Sequence, residues 1–359
     1  VSRRTLAVAT VILSLPVAAS ARAEPCTTAT AACTEWVAPG KAQVRTLVYR
    51  SFALDVKNSD ITRAVVMVHG AGRDADNYFL HVLAGAFLGG ALDTTVVISP
   101  RFASNNGGCA DTLAERETNW ECGGPARWTA GGDARGASGV TSFDVMDEIL
   151  RRLAKRDAFP NLRAIVVAGH SAGGQFVSRY QMSNLVHESL KVPVTYVVAN
   201  PSSYGYLDAV RPTASAFAEH VSALAPGYVS APPAKPGPPF APFGDADGCT
   251  AYDQWPYGLQ GRVGYSAHLT DEQMRRQLAA RPATYLLGGL DILPLFGFDG
   301  SCAAMAQGPT RMARGLAYAR YVTERFGASH TVRPVLSCGH NARCMFTDPA
   351  ALALLFPRP

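Results

Sequence analysis

Short unbroken apolar runs recur along this chain, separated by segments of helical periodicity. Arg63–Gly70, Thr94–Pro100, Ile165–Ala168, Val194–Asn200, Thr284–Asp291 and Thr331–Leu336 are rich in β-branched residues. Runs of that length read as strands buried on both faces. Ala42–Leu54 instead alternates polar and apolar positions, which predicts antiparallel opening strands with one wetted face. Between the runs, apolar residues fall at helical spacing over about 76–88, 175–182, 271–281, 303–326 and 341–355. They do so most clearly at Val145, Met146, Ile149, Leu150 and Leu153 within 143–158. Repeated strand–helix alternation predicts an α/β domain whose mostly parallel central sheet carries helices on both faces.

Two stretches break the pattern. Residues 101–139 are rich in Gly and Asn, with Trp120 and Trp128, and loops that long in compact domains tend to be functional. Residues from about 203 to 269 hold Pro226, Pro232, Pro233, Pro236, Pro238, Pro239 and Pro242 among many aromatics. They read as a loop-rich cap inserted into a single domain spanning 24–359, with a polyproline recognition tract as the other reading.

The run Ile165–Ala168 ends in Gly169-His170-Ser171-Ala172-Gly173, and a helix begins at once. A serine on such a strand-to-helix turn takes strained backbone angles and needs glycines two residues to either side. The helix N-terminus behind it favours developing negative charge. A serine hydroxyl is a poor nucleophile until a base takes its proton and a third group orients that base. In open α/β sheets such groups gather at the carboxyl ends of strands. Of the eight histidines, His340 follows the last strand, whereas His330 precedes it; His81 and His187 belong to helices, and His220 and His268 to the insertion. Asp291 closes the preceding strand and is the expected orienting carboxylate, with Asp299 as runner-up. Backbone N–H groups of Ala172 and Ala71 are the expected oxyanion donors, and His69 is expected to hold the Ala71 loop in place.

With 359 residues and 48% hydrophobic content the chain can bury a large core. Ser2–Thr5, the apolar Leu6–Ala19 and Ala21-Arg22-Ala23 have the three parts of a secretory signal peptide, with cleavage expected after Ala23 and export as the consequence. The paired arginines also resemble a twin-arginine signal. Arg3, Arg4 and Arg22 supply three of the five net positive charges, so the remainder is nearly neutral and carries no nucleic-acid footprint. No later run is long enough to span a membrane. Eight cysteines in an exported chain favour disulfides, expected as Cys26–Cys33, Cys109–Cys122, Cys249–Cys302 and Cys338–Cys344. Pairing of Cys338 with Cys344 leaves no zinc site at His340, so no metal is expected. The motifs for dinucleotides and phosphate-binding loops are absent, so no cofactor is expected either.

The order Ser171, Asp291, His340, the His69-Gly70 loop and the elbow around Ser171 resemble the α/β-hydrolase superfamily across nearly the whole chain. Within it the chain looks most like secreted bacterial esterases and lipase-like or polyester-depolymerase-like hydrolases. That resemblance implies an ester substrate, small or polymeric, and a two-step acyl transfer. Tyr204, Tyr206, Trp255 and Tyr257 of the insertion then either line an acyl or alcohol pocket or pack the insertion itself. Gly173-Gly174 also resembles serine peptidases of the prolyl-oligopeptidase type, although the chain has no room for their propeller. An acyltransferase, or a binding module without catalysis, are the further alternatives.

Overall fold

A computed structural model describes residues 23–217, 238–243 and 248–357. The expected leader up to Arg22, His220 and the prolines from 226 to 236 lie outside the described residues. Eight strands form the central sheet: β1 Thr34–Val37, β2 Thr46–Arg50, β3 Arg63–Val68, β4 Thr95–Pro100, β5 Ala164–His170, β6 Val194–Ala199, β7 Ala283–Gly288 and β8 Thr331–Val335. Their spatial order is β1-β2-β4-β3-β5-β6-β7-β8. The β1–β2 and β2–β4 pairs are antiparallel and all others parallel.

Alternation along the central strands divides the core into two layers. Val66, Val68, Ile165 and Val167 face one layer, and Val65, Met67, Val166 and Ala168 the other. Helices α2 (Ser142–Leu153), α3 (Ala172–Ser183), α4 (Asp271–Ala280) and α5 (Arg311–Phe326) cover the first face through Met146, Phe176, Leu278 and Leu316. Helices α1 (Ala75–Leu88), α6 (Ala342–Thr347) and α7 (Pro349–Leu355) cover the second through Phe79, Phe346 and Leu355.

Only β2 falls in the 42–54 stretch expected to hold the opening strands, and its antiparallel partner β1 comes from the segment before it. The helix expected over 341–355 is two, because Asp348 takes extended angles before Pro349 and caps α7 instead. The one expected over 303–326 is likewise broken into Cys302–Met305 and α5, which Thr310 caps by accepting from the Ala313 N–H. Thr270 caps α4, accepting from the Gln273 N–H. Helix α2 stops at Leu153, five residues short of Ala158.

The described parts of the 203–269 insertion leave the sheet after β6 and contain an antiparallel ribbon of Val210–Pro212 with Phe240–Pro242. All four expected disulfides form. Such a set belongs to an oxidising, exported environment. Among the described residues, no helix is long and apolar enough to cross a membrane, and no group of three His, Cys, Asp or Glu could hold a metal ion.

Candidate active site

Ser171 sits between β5 and α3 with φ 58° and ψ −119°, a conformation that side-chain-bearing residues rarely adopt. Two crossings of backbone impose it. A Cβ on Gly169 would lie 2.3 Å from the Gly173 carbonyl oxygen, and one on Gly173 would lie 2.1 Å from that of Val68. The turn therefore packs backbone on backbone, and the Ser171 N–H reaches across to the Ala199 carbonyl at 3.0 Å. Strain of this kind costs on the order of 1–3 kcal/mol and is held by the surrounding packing.

The Ser171 hydroxyl is 2.9 Å from His340 Nε2, and His340 Nδ1 is 2.7 Å from Asp291 Oδ2. A carboxylate only accepts, so Nδ1 carries the proton and Nε2 is left to accept from the serine. His340 follows β8 in a turn closed by Cys338–Cys344. A seven-residue loop of this kind gains about 2 kcal/mol on the chain-entropy argument.

Asp291 lies three residues past the end of β7, in the turn after that strand and not within it. It is 3% exposed, and its second oxygen accepts from Arg311 Nη1 at 3.1 Å. Arg311, the first residue of α5, also donates to Ser202 Oγ and to the carbonyls of Leu295 and Phe296. Asn200 joins the same assembly, accepting from the Gly288 N–H at 2.8 Å and donating to the Gly339 carbonyl at 3.3 Å. Neither Arg311 nor Asn200 was signalled by the sequence. Asn200 directly follows a strand, which is the one local cue that could have raised it.

Asp299, the other carboxylate considered, is turned to Tyr257 Oη and Ser301 Oγ, each at 2.7 Å. A cavity of about 290 Å³ opens beside Ser171, with Ala71, Ala172, Arg127, Trp128, Tyr257 and Asp299 among its lining. Roomier hollows at Leu54–Lys57 and at Ala23–Cys26 contain none of Ser171, Asp291 or His340. Tyr257 is thus the one of the four insertion aromatics that reaches the cavity. Of the two readings for the other three, a place in the pocket and a place in the packing, the structure has them packed. Tyr204 and Tyr206 are fully buried, Tyr204 stacked 4.3 Å from Tyr318 and Tyr206 tilted 4.4 Å from Tyr321 of α5. Trp255 is 3% exposed and donates from Nε1 to the Ala130 carbonyl. Helix α5 offers these rings an apolar face, and burying them there outweighs exposing them in a cleft.

His69 is fully buried at the end of β3. Its Nδ1–H donates to the Gly70 carbonyl at 2.8 Å while Nε2 accepts from the Phe102 N–H at 2.9 Å. It thereby ties the Ala71 loop to the loop after β4, with both ring nitrogens engaged by backbone. Burial lowers its pKa to about 4. His170, whose ring centre lies 4.5 Å from that of His340, is pushed well below the ordinary value by burial.

For both, the unfolded chain takes up protons as pH falls below about 6.5 and the native state does not, so stability drops across that window. Asp147 works in the opposite sense, since burial raises its pKa to about 6 and the native state then takes its proton first. His69→Gln is expected to remove up to about 3 kcal/mol of the acid-induced loss between pH 6.5 and 4. Urea unfolding of both proteins at several pH values measures it, and parallel stability curves would count against this role.

The model of the alpha/beta hydrolase family matches residues 65–353. The chain belongs to that family. Poly(aspartic acid) hydrolase-1 from Sphingomonas sp. KT-1 is similar in structure at 20% identity, with 90% of this chain and 98% of that one covered and a TM-score of 0.56. A poly(3-hydroxybutyrate) depolymerase from Bordetella parapertussis is similar at 21% identity, covering 88% and 89%, with a TM-score of 0.54. No curated protein matches the sequence. At these identities the likeness is one of fold, with the mostly parallel sheet and its helical layers in common.

Proposed function

We propose that this member of the family is an exported serine hydrolase that cleaves carboxylic esters through an acyl-enzyme. The observation that carries the reading is the unbroken chain from Ser171 through His340 to Asp291, at 2.9 and 2.7 Å, with the serine on a strained elbow. In this mechanism His340 Nε2 takes the Ser171 proton as Oγ adds to the ester carbonyl. The oxyanion forms beside the N–H groups of Ala172 and Ala71, both of which line the cavity. His340 returns the proton to the departing alcohol, then activates a water that releases the acid. Asp291 stays ionised and holds the imidazole in its Nδ1–H form.

A cavity of about 290 Å³ lies at the lower limit for ligand sites, which favours a short acyl group. Among p-nitrophenyl esters, acetate or butyrate is expected to exceed laurate in kcat/KM by at least about tenfold. A laurate optimum would refute that size limit.

The mechanism itself is tested by a fluorophosphonate, which should add to Ser171 and be located there by peptide mass spectrometry. Labelling that persists in Ser171→Ala would remove the serine from its role. Product analysis with an added alcohol separates hydrolysis from acyl transfer, since transfer yields a new ester in place of acid. The same assays on peptide amides test the peptidase alternative.

A further inference from the structure

The loop from Leu290 to Phe298 is apolar where a protein surface is usually polar. Leu290, Leu293, Leu295 and Phe296 are exposed there, Phe296 at 73%, and the one charged residue of the stretch, Asp291, is buried. Leu336, just past β8, is exposed too and adjoins the same strand ends, its Cα 2.8 Å from where a Cβ on Gly289 would lie. Exposed apolar patches of this kind mark contact sites.

The backbone of this loop is firmly held. Arg311 donates to the carbonyls of Leu295 and Phe296 at 2.8 and 2.9 Å, and the Leu295 N–H reaches the Leu293 carbonyl at 2.9 Å. Phe298 turns inward, its ring centre 5.3 and 4.3 Å from the guanidinium carbons of Arg311 and Arg314. Phe296 turns the other way. Its φ of 53° is a left-handed value that a bulky side chain adopts only under strain, and the fold bears that strain while leaving the ring in solvent.

The position of the ring relates it to one part of a substrate. Its centre is 6.3 Å from that of His340 with the two planes 12° apart, and Gly297, the next residue, lines the cavity beside Ser171. That cavity has Arg73, Arg127, Gln175 and Asp299 in its wall and has room for a short acyl group. In acyl transfer the imidazole must reach the departing oxygen to protonate it, so the alcohol leaves on the His340 side of Ser171.

We propose that Phe296 and the leucines beside it bind the alcohol part of the substrate, so that the enzyme selects esters of short acids with large apolar alcohols. This rests on the reading of Ser171 as nucleophile. In the step concerned, a bond forms from Ser171 Oγ to the carbonyl carbon, the bond to the alcohol oxygen breaks, and that oxygen takes the proton from His340; water then frees the acid. Every acetate gives the same acetyl-enzyme, so the loop acts on acylation alone and its effect is read in kcat/KM.

Ethyl acetate and 2-phenylethyl acetate share the acyl group and have alcohols of similar acidity. Acid release followed in a pH-stat should give a kcat/KM at least about tenfold higher for the phenylethyl ester. Phe296→Asn, which suits the left-handed backbone, should reduce that ratio at least about fivefold. Phe296→Leu should keep part of it, and Leu293→Ser/Leu295→Ser should lower it as well. The ratio of acetate to butyrate on a common alcohol should stay within about twofold of wild type in all three, since the cavity holds the acyl group. Saturation-transfer NMR on Ser171→Ala, which needs no turnover, should show protein contact with the phenyl ring of 2-phenylethyl acetate that Ser171→Ala/Phe296→Asn loses.

Equal rates on the two esters, or an unchanged ratio in Phe296→Asn, would overturn the proposal while leaving the serine mechanism intact. Ring contact that depends on Phe296, without cleavage of either ester, would support the apolar site and remove the esterase reading. A wild-type dimer that Phe296→Asn converts to monomer would give the loop to a second copy of the chain and overturn the proposal, as would absence of ring contact in Ser171→Ala.

Discussion

Ser171→Ala is expected to lower kcat/KM for a short p-nitrophenyl ester by roughly ten-thousand- to million-fold. The exchange removes one oxygen from the cleft and leaves His340 with no hydroxyl to deprotonate. Nucleophile, base and orienting acid act as a unit, so His340→Ala should cost nearly as much and the double variant little more. Stability should change by less than about 1 kcal/mol, because alanine bears the same Cβ and meets the same strain at φ 58°. Equal unfolding midpoints with abolished turnover assign the loss to chemistry. Activity within tenfold of wild type would place the reaction elsewhere and turn attention to a binding role.

Arg311→Met is expected to destabilise the protein by about 3–5 kcal/mol, the usual cost of removing one partner from a buried ion pair. Arg311 is almost fully buried and joins four acceptors: Asp291, Ser202 and the carbonyls of Leu295 and Phe296. Methionine fills much of the same volume but donates to none of them, so Asp291 Oδ1 would lose its Arg311 partner. The loop carrying the carboxylate would lose its tie to α5, and kcat should fall as His340 becomes less well oriented. Arg311→Lys keeps the charge without the planar fork and should recover part of both losses. Urea unfolding together with kcat measures the two effects. Wild-type stability in Arg311→Met would show that Asp291 is held by other means.

The elbow was legible because its requirements are local. A buried strand, two glycines and a helix start must follow one another within about a dozen residues, and backbone crossings at Gly169 and Gly173 allow no other residue there. The positions of His340 and Asp291 were legible for a related reason, since a parallel sheet brings successive strand ends to one edge. Asp291 nevertheless stands three residues beyond its strand. The insertion aromatics kept two readings because their surroundings came from afar. Tyr204 and Tyr206 meet Tyr318 and Tyr321, more than a hundred residues on, and nothing near them in sequence announces that face.

By itself the sequence determined the strand order of chemistry along the chain, the short-range disulfides and the serine turn, all governed by periodicity, spacing and backbone sterics over short distances. Only the tertiary structure decided which carboxylate received a buried arginine and which aromatics left the cleft for the core. Those outcomes depend on competition for burial and for hydrogen-bond partners among residues far apart in the chain, and that competition is settled only when the layers close on one another.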